Sequence, residues 1–172
     1  GKRWGKELHV PTRAARGAYF VDWILARLTV SLDLDEFVAV ELQTMDTTGS
    51  YEGQVRSLLA GTVHPPPSKA GINWENVSKR ILPQIIFKGH VLRQEPLCNR
   101  GMYFVCPSPV FERIATRLGG TLRVYHQQPG ALTFRHYDLG TRGQDGMHMP
   151  LDFKGQLTTT VDQVALAFTA PA

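Results

Sequence analysis

Long apolar runs are missing from this sequence. No stretch of about 18 apolar residues occurs, so no membrane-spanning helix is expected. The opening GKRWGKELHV lacks the apolar centre of a secretory signal. It starts at Gly1 rather than Met, which fits either a processed chain or a segment of a longer one. Cysteine is scarce, with only Cys98 and Cys106. A disulfide framework is therefore excluded, and a reduced, cytoplasmic setting is the expectation. These cysteines, taken with His90 and His126, match no zinc-finger spacing. Glycine-rich phosphate loops, nucleophile elbows and internal repeats are also lacking.

What is present suits one globular domain over residues 1–172. Hydrophobic residues make up 42% and charged residues 20%, enough for a core without the signature of disorder. Lysine and arginine outnumber the acids by 19 to 15, for a net charge of +4. That mildly favours acidic partners such as nucleic acid. Residues 1–17 hold Lys2, Arg3, Lys6, His9, Arg13 and Arg16 against Glu7 alone. They read as a basic arm, irregular or briefly helical, with a solubilising terminus as the plainer alternative.

Element signals follow. Residues 18–29 and 36–45 are rich in branched and aromatic side chains and read as strands, separated by the turn SLDLD. GQVRSLLAG is a short helix or strand, and HPPPSKAG an extended connection. Asn73 suits an N-cap, followed by Trp74, Val77, Ile81, Leu82, Ile85 and Ile86 at helical spacing. A long helix, bent near Pro83, is predicted. GMYFVC (101–106) suits a buried strand, and Ser108 and Pro109 the start of a helix ending near Gly119. Residues 121–127 and 131–139 read as strands joined at QPGA, and Thr160 with Gln163 as the capping start of a last helix to Phe168. The sum is an α/β fold, a mixed central β-sheet flanked by helices.

The chemistry concentrates in FVAVELQT. Alternation places Val38, Val40 and Leu42 on one strand face, and Phe37, Ala39, Glu41 and Gln43 on the other. A carboxylate among apolar neighbours is costly unless paired or bound to a cation. Asp22, inside AYFVDWILARL, poses the same problem. If the two strands pair around a turn centred between Ser31 and Leu32, Asp22 lies opposite Glu41. A turn one residue later sets it opposite Gln43. Two acids that close repel. A divalent cation removes the conflict, and Mg²⁺ suits an oxygen site with few protein ligands. Without such a cation, the acids would be a structural pair bridged to Arg16, Arg27 or Arg56. Asp33, Asp35 and Glu36 are alternative first metal acids, though a turn usually leaves acids solvated. Asp46 suits a turn or cap.

An acid on one strand and E-x-Q on the next resembles the active site of PD-(D/E)XK nucleases. In those enzymes the two acids hold Mg²⁺ and the third residue, usually Lys, helps place the attacking water. Gln43 departs from that pattern, since its amide can orient water but brings no charge. The stretches FVAVELQTMDTTGSY, NWENVSKRILPQIIFKGHVL and GMYFVCPSPVFERI are similar to the NotI-type restriction endonuclease family. With the strand around Asp22, the likeness spans residues 18–118. The four-cysteine iron site of that family has no counterpart among two cysteines.

The resemblance implies a restriction-endonuclease-like core, Mg²⁺ as cofactor, double-stranded DNA as substrate, and Asp22, Glu41 and Gln43 as catalytic residues with Asp22 and Glu41 on the metal. A palindromic site would imply a homodimer. Lys79, Arg80 and Lys88 are candidates for the charge Gln43 lacks or for phosphate contacts, a solvated helix face being the plainer reading. Arg135, His136, Arg142 and His148 are candidate DNA contacts. Both metal acids are expected to be removable without unfolding. The rival readings are a repair or phage nuclease without site specificity, and a DNA-binding module that does not cut.

Overall fold

In this computed structural model the described residues are 2–10, 19–44, 52–61, 73–120, 122–141 and 149–170. Branched and aromatic residues drive the strands Lys2–Val10 (β1), Tyr19–Leu28 (β2), Leu34–Leu42 (β3), Met102–Pro107 (β4), Ala131–Leu139 (β5) and Leu151–Thr160 (β6). They form one six-stranded sheet in the order β1-β2-β3-β4-β5-β6. The pairs β1–β2, β2–β3 and β5–β6 are antiparallel, and β3–β4 and β4–β5 parallel. The mixed sheet read from the sequence is thus present.

Parallel neighbours need crossover connections. Between β3 and β4 run Glu52–Leu59 (α1), a π-helical turn at Val77–Ile81 and Leu82–Leu92 (α2). Between β4 and β5 runs Ser108–Arg117 (α3), and Val161–Thr169 (α4) follows β6. Phe37, Ala39, Phe104, Phe134, Ile81, Ile85, Ile114 and Val164 belong to one core cluster. It lies between a single sheet face and the helices from Val77 onward. Gly101 sets the spacing of β4 and β5, because a Cβ there would lie 2.0 Å from the Ala131 carbonyl oxygen. Among the described residues no helix is long and apolar enough to cross a membrane.

Three segments differ from the sequence reading. Lys2–Val10 is a strand, not an irregular or helical arm: the outer edge of β2 offers a row of backbone partners, and pairing overrides a charged composition. Residues 11–17 of that arm lie outside the described residues. Leu122–Gln127 is not a strand but an irregular stretch, tied to the sheet by Tyr125 N–H donating to the Thr158 carbonyl at 2.9 Å. The antiparallel partner of β5 is instead Leu151–Thr160, whose mix of Gly, Lys and Thr hides the strand pattern. The long helix expected from Trp74 onward is divided into the π-helical turn and α2, with Pro83 in the first turn of α2.

Candidate active site

The β2–β3 hairpin fixes the acids. The turn is closed by Thr29 N–H donating to the Asp33 carbonyl at 2.9 Å, with Ser31 Oγ donating to Asp33 Oδ2 at 2.6 Å. Trp23 pairs with Val40 and Ile24 with Ala39. The same register, one step further, sets Asp22 opposite Glu41. Of the two registers open in the sequence, the one that sets Asp22 opposite Glu41 is formed, and a bulge between Arg27 and Leu28 re-centres the turn itself on Ser31, where Leu28 pairs with Leu34. At this end of the ladder Asp22 Oδ2 accepts a hydrogen bond from Leu42 N–H at 2.8 Å. The carboxylate stands where a backbone acceptor would otherwise serve.

Glu41 sits on the helix-covered face, beside Phe37 and Ala39. Its Oε1 accepts a hydrogen bond from Lys88 Nζ of α2. Lys88 is only 5% exposed, so this is an interior ion pair and not a surface contact. Glu41 Oε2 is buried and accepts no hydrogen bond. Burial pushes the Glu41 carboxyl above its ordinary value, the Lys88 ammonium pulls it back, the Asp22 charge adds to the rise, and the Asp22 backbone N–H opposes it. One carboxylate oxygen is thus desolvated and without a donor, next to a second acid. That donor set suits a hard cation that takes few protein oxygens. Among the described residues no group of three or more His, Cys, Asp or Glu side chains that could hold a metal ion converges.

Gln43 follows the end of β3. Its backbone N–H donates to the Val105 carbonyl at 2.9 Å, which holds it at the carboxyl end of the parallel strands. Its side-chain amide donates to the Thr44 carbonyl at 2.9 Å and is half-buried. Gln43 and the two acids are therefore assembled by one hairpin.

The cations divide. Lys88 joins the site, and of the charged candidates on this helical stretch it is the buried one. Lys79 is exposed and bound to Glu75 at 2.6 Å, and Arg80 is exposed. Arg135 lies on the opposite sheet face from Glu41, so the sheet separates it from the acids. His136, two strands across on the same face as Glu41, meets Ser108 Oγ at 3.0 Å and stacks on Phe111. Arg142, His148 and Asp46 fall outside the described residues. The substitutes for Asp22 are engaged elsewhere: Asp35 and Glu36 bind Arg27 at 2.6 and 2.8 Å, and Asp33 stays in the turn. Arg27 and Arg56 consequently do not bridge the two acids, Arg56 being bound to Glu52.

The burial of Lys88 was missed, yet the signal was there. Lys88 follows Ile81 by seven residues and Ile85 by three, and precedes Leu92 by four. That is the apolar face of the helix. A lysine on such a face must find a carboxylate, and Glu41 was the unpaired one.

No protein-family model matches this chain, and no curated protein matches it.

Proposed function

We propose that this chain is an Mg²⁺-dependent endonuclease that hydrolyses phosphodiester bonds of double-stranded DNA at a specific site, in the manner of restriction enzymes. The observation that carries the reading is Glu41: a buried acid with one oxygen unpartnered, across the hairpin from Asp22 and paired to a buried lysine. Bound by Asp22 and Glu41, Mg²⁺ would supply a Lewis acid to the phosphoryl group. Lys88 holds the Glu41 carboxylate in place and puts a positive charge near the reacting phosphate, the role Gln43 lacks charge to fill. The Gln43 amide, released from Thr44, orients the attacking water through its oxygen and its N–H groups. A two-fold homodimer acting on a palindromic site in the cytoplasm completes the proposal.

The Lys88 pairing also favours a second reading. With Glu41 already neutralised, the acids would be structural and the chain a DNA-binding module on the same fold. Digestion of plasmid DNA in Mg²⁺ and in EDTA separates the readings. Discrete Mg²⁺-dependent bands are expected. A smear would mean cleavage without site specificity, and binding without cutting would overturn the enzymatic reading.

A further inference from the structure

The sheet face turned away from the helices carries a cavity of about 740 Å³. Its walls include Trp23, Val40, Leu42, Tyr103, Val105 and Tyr137. Strand alternation sets this cavity back to back with the acids: Trp23 follows Asp22, and Val40 and Leu42 flank Glu41. Size and apolar lining are those of a small-molecule site.

Charge narrows the ligand. Arg27, Arg100, Arg135 and Glu36 are the charged groups in the wall. Glu36 Oε1 is shared by Arg27 at 2.8 Å and Arg100 at 3.5 Å, and Arg27 also holds Asp35. Arg135 has no carboxylate partner among the described residues, and its buried Nε makes no hydrogen bond. Its guanidinium lies 4.8 Å from the Phe153 ring centroid and 5.8 Å from that of Tyr137. The two rings hold the planar group in a fixed orientation. One positive charge in an apolar, aromatic cavity is thus without a carboxylate partner among the described residues.

We propose that this cavity binds a flat organic monoanion, an aromatic carboxylate whose rings lie among Trp23, Tyr103 and Tyr137 and whose carboxylate meets Arg135. Guanidinium and carboxylate are matched in shape as well as charge. A phosphodiester chain fits less well, because a single unpaired cation answers a single charge.

The test is calorimetric titration of the intact chain with naphthoate and with its neutral counterpart, naphthalenemethanol. Saturable one-to-one binding is expected. Naphthoate should bind about 10-fold tighter or more, the least a charge-assisted hydrogen bond contributes. Arg135→Gln should reduce naphthoate to the level of the alcohol. Equal affinity for the two compounds, or no saturable binding, would overturn the proposal in the wild-type chain alone, whatever the folding of the variant. So would competitive displacement of naphthoate by a DNA duplex, which would assign this face to nucleic acid.

Discussion

Glu41 and Lys88 lock each other in place, and this changes what removal of the acid should do. From the sequence, deleting a repelling carboxylate is expected to leave the fold intact. The buried ammonium of Lys88 corrects that: Glu41→Ala strands a charge inside the protein and should cost about 3–5 kcal/mol in denaturant unfolding. Adding Lys88→Met should recover most of the loss, and a double variant no more stable than the single one would deny the pairing. Asp22→Asn is the gentler probe, since its amide oxygen can still accept from Leu42 N–H. Linkage gives a further check on the metal-free chain. The Glu41 carboxyl titrates above its ordinary 4.5 in the folded state, so the folded protein holds that proton longer than the unfolded one. Its contribution to stability is present below 4.5 and is lost as pH rises through the folded value. In Glu41→Gln/Lys88→Met this component of the fall should vanish, and an unchanged pH profile would assign it to other groups. Gln43→Ala should slow single-turnover cleavage by about 100-fold, typical of losing a positioned group. Gln43→Lys should retain measurable cleavage if the residue only aligns water. The placement of Asp22, Glu41 and Gln43 on one hairpin was legible because strand alternation is a local rule. The partner of Glu41, 47 residues away, was not, because no local rule names it.

Helix α2 carries Lys88 to the hairpin, so its seat governs the site. Gly89, the next residue, lies against Val161 at the start of α4, where a Cβ would come 2.8 Å from Val161 Cγ2. Gly89→Ala should therefore destabilise the protein by about 1–3 kcal/mol and shift Lys88. Val161→Ala in the same chain should relieve the clash; thermal unfolding of both variants decides it, and a neutral Gly89→Ala would show the seat to be loose. Helix α4 was readable in advance, and Thr160 Oγ1 accepts from Gln163 N–H at 3.3 Å as its spacing implied. Strand β6 was not, because LDFKGQLTTT has neither clean alternation nor an apolar run and owes its form to pairing with β5. The reverse error at Leu122–Gln127 has the same root: Tyr125 N–H donating to the Thr158 carbonyl of edge strand β6 is too little pairing to make a strand.

At the scale of the whole molecule, the helices cover one sheet face and leave the other to the aromatic cavity, so β3 serves both faces at once. The basic first segment is also part of this architecture. As β1 it pairs along β2 from Lys2 opposite Arg27 to Val10 opposite Tyr19. Deleting it would bare the edge of β2 and unfold more than it informs, so charge reversal is the fitting experiment. If the proposed DNA binding holds, its affinity should fall with salt by about 0.9 in the log–log slope per phosphate contacted. Lys2→Glu with Lys6→Glu should flatten that slope, and an unchanged slope would show the strand to be structural only. The mixed sheet could be read from the sequence because its parallel centre is built of apolar runs, whereas both edge strands depend on neighbours and could not. The proposed metal site of Asp22 and Glu41 is tested most directly by single-turnover cleavage of plasmid DNA in saturating Mg²⁺ by the wild-type chain and by Asp22→Asn, whose amide oxygen can still accept from Leu42 N–H. Mg²⁺-dependent cutting by the wild type and a loss of about 100-fold or more in the variant are expected; equal rates, or no cutting by either, would contradict a metal site that cuts DNA.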